Sequence, residues 1–418
     1  MKYTSYNMNA YNLHVIKTDK FKTVTVGIAF RRKLLKEEIT IRNLLKDVMI
    51  NSSYNYPTEK DLIIETENLY DLKLSSTNYR VGNYAILSFK IKFLNEKYTE
   101  DKMNEESIKF LLDLIFKPNL DYDLDKCKNR IRKSILSLSD NKIKYALFKL
   151  LETTGDMPYA YNSYGYIEDL DKINEQEIKK YYNDVISNDL VDVYVVGDVS
   201  EVFIKNIFKE NFKLTTFHRQ EIDLIPPQLA NTSRIKEYRE SDDVNQTQLT
   251  VLCNIKGLTD EERKYVLPVY TEMLGGTSNS ILFDSVREKN SYAYYVNAIV
   301  KPYDSIMMIY SGIEKGNEKN VFKIIEKTLK SINKGNFPHE KFESAKETVI
   351  SAIEASMDNP MGIISNYYAK VLVNSLDAGG RIKKIKEVTK EQIIQVSKKI
   401  SIHTRFILEG EDEKDNDK

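Results

Sequence analysis

The 418-residue chain reads as an α+β protein in which one domain plan is used twice. Three observations carry that expectation. Extended and helical periodicities follow one another in the same order in the two halves. Short words recur at nearly constant spacing, and between the halves the text loses its period around Pro226-Pro227.

In the first half, residues 21–30 alternate, with Val24, Val26, Ile28 and Phe30 on one face of a predicted strand. Ile41, Leu44, Leu45, Val48 and Met49 mark a helix with one apolar stripe. Strands are expected at 70–76 and 84–94, the second carrying Ala85, Leu87, Phe89 and Ile91 on one face. Helices should span 103–116, 123–139, 142–153 and 175–186, and the apolar run 191–197 fits a buried strand. The second half predicts strands at 247–255, 304–313 and 403–409, and helices at 260–274, 317–334, 339–357, 361–374 and 390–399.

Asp140-Asn141 recurs as Asp358-Asn359, and Asn174-x-x-Glu177 recurs as Thr389-x-x-Gln392. Both members of the second pair have the form of capping boxes opening a helix that leads to a terminal strand. The expected division is an N-terminal domain at 1–215, a linker at 216–234, a C-terminal domain at 235–410 and a disordered acidic tail at 411–418.

Composition excludes several classes. Lys+Arg and Asp+Glu balance at 62 each, which gives no field for nucleic acid or an anionic membrane. No stretch reaches the roughly 18 apolar residues of a membrane span. The N-terminal stretch lacks the continuous apolar core of a secretion signal, so a cytoplasmic location is expected. Two cysteines, Cys127 and Cys253, cannot build a disulfide framework or a cysteine zinc site. The four histidines, His14, His218, His339 and His403, are scattered. His339-Glu340-x-x-Glu343 follows Pro338 and reads as ordinary helix-start chemistry. Dinucleotide fingerprints, phosphate loops and nucleophile elbows are missing.

The most informative stretch is 274–300, LGGTSNSILFDSVREKNSYAYYVNAIV. It reads as a Gly-Gly turn, an amphipathic helix ending at Val286-Arg287-Glu288-Lys289, a break at Asn290-Ser291, and a strand on which Tyr292, Tyr294, Val296, Ala298 and Val300 alternate. Arg287 at the helix end and Tyr294 on the strand could bring a fork of N–H donors and a phenol to one peptide backbone. The plainer reading is a dipole-complementing Arg and a strand aromatic.

This stretch resembles the second-domain signature of the insulinase/pitrilysin family of metallopeptidases. Gly275, Gly276, Ser280, Leu282, Phe283, Val286, Arg287, Glu288, Lys289, Ala293 and Tyr294 match the family pattern, while Ile281 replaces an Arg and Ser291-Tyr292 replaces Gly-Leu. The resemblance implies two duplicated domains, each a mainly antiparallel sheet packed against helices, as in the mitochondrial processing peptidase. It also implies that Arg287 and Tyr294 contact substrate.

Active members carry H-x-x-E-H on the first helix of the first domain, which sets two His at i and i+4 on one face to hold zinc, with Glu as general base. Here Asn43 and Asp47 stand at the two His positions and Lys46 at the base. An ammonium beside a would-be zinc repels it and cannot accept a proton. Around the expected downstream ligand, residues 132–137 contain no carboxylate. The resemblance therefore implies a chain with no cofactor of its own. It would be the zinc-free, substrate-binding subunit of a two-subunit peptidase, a heterodimer whose homologous partner bears the zinc and which acts on peptides. The alternative is a purely structural scaffold subunit without a catalytic contribution. A stand-alone peptidase would need metal ligands that the sequence does not display.

Overall fold

A computed structural model describes residues 1–214, 223–230 and 232–410. The expected tail at 411–418, residues 216–222 and 231 of the expected linker, and His218 lie outside the described residues. The fold is mixed α+β, with two sheets and helices packed against them.

The first sheet is built from β1 (Lys2–Asn7), β2 (Asn12–Lys17), β3 (Thr23–Lys33), β4 (Lys73–Val81), β5 (Tyr84–Leu94) and β6 (Leu190–Gly197), in the order β1-β2-β6-β3-β5-β4. The second contains β7 (Lys236–Asp242), β8 (Thr247–Ile255), β9 (Ala293–Lys301), β10 (Ile306–Ile313) and β11 (Ile400–Gly410), in the order β7-β11-β8-β10-β9. The late strand β6 enters between β2, to which it is parallel, and β3, to which it is antiparallel. β11 does the same between β7 and β8. Apart from the extra edge strand β1, the two sheets share one topology, so the repeat in the text is a repeat of strand pairing.

Contacts divide the chain into two units. Among the described residues, the first comprises 1–136, 162–214, 223–224 and 357–368; the second comprises 137–161, 225–230, 232–356 and 369–410. In the first unit, Val24, Val26, Ile28 and Phe30 of β3 and Leu87, Phe89 and Ile91 of β5 form a core with Leu44, Leu45 and Val48 of the helix Ile39–Asn51. In the second, Leu249, Val251 and Cys253 of β8 pack with Val269, Tyr270 and Met273 of the helix Leu267–Gly275 and with Val321 and Ile325 of the helix Glu318–Asn333. The other side of β8 is covered by Ala146 and Leu150 of the helix Lys142–Glu152, against Leu252, Met308 and Phe406.

The repeated words act as local physics requires. Asn174 and Thr389 open the helices Glu175–Asn188 and Lys390–Lys398 with reciprocal capping boxes. Asn141 caps the helix Lys142–Glu152 by accepting from the Lys144 N–H, and Asn359 accepts from the Met361 N–H at the start of the helix Pro360–Val373.

Several elements lie outside the sequence expectation: β1, β2, β7 and the helices Glu59–Asn68, Glu201–Asn211 and Ala378–Lys386. β7, with the sequence KEYRESD, carries no apolar alternation because it is a mostly exposed edge strand. The helix Glu59–Asn68 buries only Leu62 and is announced by its capping box, Thr58 with Asp61. Gly379 and Gly380 weaken the helical signal of Ala378–Lys386, whose start is instead marked by Asp377 accepting from the Gly380 N–H.

Candidate functional site

The 274–300 stretch lies wholly in the second unit. Of the two glycines expected to form a turn, Gly275 is instead the last residue of the helix Leu267–Gly275, and Gly276, which caps it at φ −76°, begins the turn that runs on to 280. Glycine is needed here for closeness: a Cβ on Gly275 would lie 2.9 Å from both the Cβ and the backbone nitrogen of Ala298 on β9. Ser280 then caps the next helical run by accepting from the Phe283 N–H. That run is α-helical over Ile281–Phe283 and widens into a π-turn over Asp284–Glu288, where the Lys289 N–H reaches the Asp284 carbonyl at 3.0 Å. Leu282 and Val286 face the core and leave Arg287 exposed at the helix end.

The chain reverses through Ser291, which adopts the left-handed conformation at φ 53°. This is the position at which the family resemblance expects glycine, the residue that takes this conformation without steric cost. β9 then begins at Ala293, so Tyr292 lies outside the strand. The expected alternation also fails at Tyr294. Gly312 pairs with Tyr295 and Ile313 with Ala293, which leaves Tyr294 as the extra residue of a bulge. Ala293, Val296 and Ala298 all turn into the core, whereas Tyr294 is 55% exposed. Without the bulge Tyr294 would share the buried face of Val296.

Among the described residues, neither Arg287 nor Tyr294 has a side-chain hydrogen-bond or ion-pair partner. The Arg287 guanidinium rests 5.0 Å from the centroid of the Phe283 ring. Sequence reading missed what frames this segment. The Lys341 ammonium, on the helix His339–Ser356, binds Asp284 at 2.7 Å and the Asn279 side chain at 2.7 Å. Asn279 in turn donates to Ser344 at 2.9 Å.

Asn43, Lys46 and Asp47, the positions that the family resemblance pairs with metal-site residues, lie in the first unit, on the helix Ile39–Asn51. Asn43 is buried and committed: its amide donates to the Ile39 carbonyl at 3.1 Å and the Ser163 carbonyl at 2.8 Å, and its oxygen accepts from Asn78 of β4 at 3.1 Å. Asp47 faces Arg130 at 3.4 Å and hydrogen-bonds Cys127, whose thiol burial pushes well above its ordinary range. Arg130 also binds Glu59, which accepts from Tyr122 at 2.8 Å and pairs with Lys126 at 3.1 Å. The Arg130 hydrogen bond, with those from Tyr122 and Lys126, holds the Glu59 carboxyl at about 2. Lys46 is partly buried on the same helix.

The helix Leu124–Leu136 thus presents Cys127 and Arg130 to Asp47. In the stretch 132–137, expected to hold the downstream ligand position, Arg132 is tied to Asp171 at 2.9 Å and Ile135 packs against the core. The spacing Cys127, Arg130, Ile131 on one helical face was the available signal. The residues present do not fit zinc, because Asn43 is spent on hydrogen bonds and the Asp47 and Glu59 carboxylates are paired with the Arg130 guanidinium. Among the described residues, no group of three or more His, Cys, Asp or Glu is placed to hold a metal ion.

The described histidines serve other ends. His14 is buried between Tyr3 and Ser5 on one ring nitrogen and Asp192 on the other, and His403 bonds Thr404. His339 is an exposed helix-start residue 4.0 Å from Glu343. Among the described residues, no helix is long and apolar enough to cross a membrane.

Among the described residues the helix Ile39–Asn51 thus takes part in no metal-holding group, and the second unit carries Arg287 and Tyr294 exposed at its surface. Residues 172–349 match the family model described as Peptidase M16 inactive domain. The chain is 27% identical over 408 residues, 95% of each protein, to the probable inactive metalloprotease YmfF of Bacillus subtilis. The crystal structure of a conserved protein from Enterococcus faecalis superposes with a TM-score of 0.91 at 26% identity, covering 99% of this chain and 100% of that one. A peptidase M16 inactive domain from Pseudomonas fluorescens shares the fold at a TM-score of 0.79 and 15% identity, with 99% of each chain covered. Over residues 172–349 the chain thus matches the M16 peptidases, the insulinase/pitrilysin family, and over 95% of its length it is similar to a probable inactive homologue.

Proposed function

We propose that this chain is the zinc-free, substrate-binding subunit of a two-subunit M16 metallopeptidase acting on peptides in the cytoplasm, with the zinc carried by a homologous partner. The observation that carries this reading is the state of Arg287 and Tyr294. Both leave the core of the second unit for solvent, Tyr294 through a bulge that costs the β9–β10 ladder a residue, and neither is spent on an ion pair or hydrogen bond among the described residues. An aromatic packed in the core would need no such bulge.

In this reading the Arg287 fork holds a peptide carbonyl. The Tyr294 phenol donates to the scissile carbonyl oxygen as it gains charge during attack by water. β9 is an edge strand, so a peptide laid along it finds unpaired backbone groups beside the phenol. No proton transfer is assigned to Asn43, Lys46 or Asp47.

The test is purification from the native cell, followed by reconstitution with whichever homologous chain bearing H-x-x-E-H accompanies it. Peptide turnover is expected only in the complex. Tyr294→Phe should lower kcat about 100-fold, corresponding to about 3 kcal/mol for one oxyanion donor, with the thermal midpoint unchanged. Equal turnover by the wild-type and Tyr294→Phe complexes would remove the assigned role and leave a scaffold subunit.

A further inference from the structure

An exposed Arg at a helix end ordinarily samples many rotamers, and a group meant to grip a ligand loses affinity in proportion to the freedom it must give up. Arg287 has a support. Phe283 lies four residues earlier, on the same face of the helical run. Its ring is half-buried, packed against the core of the second unit and beneath the guanidinium, 5.0 Å from its centroid. The ring is itself held in place. Ser280 accepts from the Phe283 N–H at 3.4 Å, and Lys341, largely buried, ties Asp284 and Asn279 on either side of it. Phe283 therefore offers a fixed π surface to a cation that has no ion-pair partner among the described residues.

We propose that Phe283 is a positioning residue for Arg287: its ring fixes the guanidinium in place, so that the N–H donors are presented before a ligand arrives. The proposal rests on the reading of Arg287 as a peptide-holding group. Leu at 283 would keep the apolar packing and lose the π face, whereas Tyr would keep both, so the two substitutions separate support of Arg287 from support of the core.

The experiment follows the Arg287 side chain by NMR in the full chain labelled at arginine, with the signal assigned through Arg287→Lys. The ring should shift the Arg287 δ and ε protons upfield in wild type. Phe283→Leu should return them to their free positions, and Phe283→Tyr should retain the shift. In parallel, affinity for a fluorescein-labelled, amidated twelve-residue peptide should fall roughly two- to fivefold in Phe283→Leu and recover in Phe283→Tyr. Unshifted protons in wild type, or no change on Phe283→Leu, overturn the proposal. If the shift behaves as expected but wild type does not bind the peptide, Phe283 still positions Arg287, and it is the peptide-holding reading that falls.

Discussion

Replacing Gly275 by Ala tests how the Arg/Tyr segment is held. The added Cβ would lie 2.9 Å from the Cβ and the nitrogen of Ala298 and 3.3 Å from the carbonyl carbon of Asn297, all on β9. Carbon atoms pack at about 3.5–4.0 Å, so the strand must withdraw by roughly 0.5–1 Å. The obstacle is main chain and cannot rotate aside. Overpacking of this kind costs about 1–3 kcal/mol, while Ala in place of a helical Gly returns at most about 1 kcal/mol. The expected net loss is about 1–2 kcal/mol, read as a lower denaturant midpoint at unchanged slope for the second unit. Gly379→Ala is the control: it is also helical, but its Cβ would meet nothing closer than 3.7 Å, and it should stabilise by up to about 1 kcal/mol. If Gly275→Ala were as stable as wild type, the close approach of helix to strand inferred here would be wrong. β9 also carries Tyr294, so the same substitution should weaken peptide binding.

Two further outcomes follow from local geometry. Ser291 holds φ 53°, a conformation costing an L-residue about 1–2 kcal/mol; Ser291→Gly should relieve it at an offsetting entropic cost of about 0.5–1 kcal/mol, giving a net rise in the denaturant midpoint. The Glu59 carboxyl is depressed from its ordinary 4.5 to about 2, chiefly by the Arg130 hydrogen bond, so its contribution is present above pH 4.5 and is lost as pH falls towards 2. The group is a third exposed, which limits the effect to about 1 kcal/mol; Glu59→Gln should flatten acid unfolding in that window, and an unchanged pH profile would count against the network.

What the sequence displays and what it conceals divide along physical lines. β5 and β8 are buried elements with strong apolar periodicity, and both lie where the pattern puts them. β7 and β1 are edge strands whose stability comes from pairing with a neighbour, so their own residues need not alternate. At the site, Arg287 and Tyr294 could be named from the family resemblance and not from spacing alone, and the exposure of Tyr294 depends on a bulge. One residue more or less in the pairing between β9 and β10 reverses which face a side chain takes. The text contains no mark of that slip; it is fixed by the partner strand. Arg130 was hidden for a related reason, since its meaning comes from Asp47 and Glu59, on two other helices.

That hidden residue explains why the metal chemistry is absent in depth. Exchanging histidine for Asn43 and Asp47 alone would leave a helix face that a few substitutions could restore. Here Asn43 is tied to β4 and to the Ser163 carbonyl, and Asp47 is tied to Arg130, which is shared with Glu59. A cation entering here would have to displace the Arg130 guanidinium from both Asp47 and Glu59 before either carboxylate could serve it. Arg130 and Lys126 form an ion-pair network with Asp47 and Glu59 in the first unit, while in the second unit Arg287 and Tyr294 make no side-chain ion pair or hydrogen bond among the described residues. A structural subunit would gain the first of these features and have no use for the second.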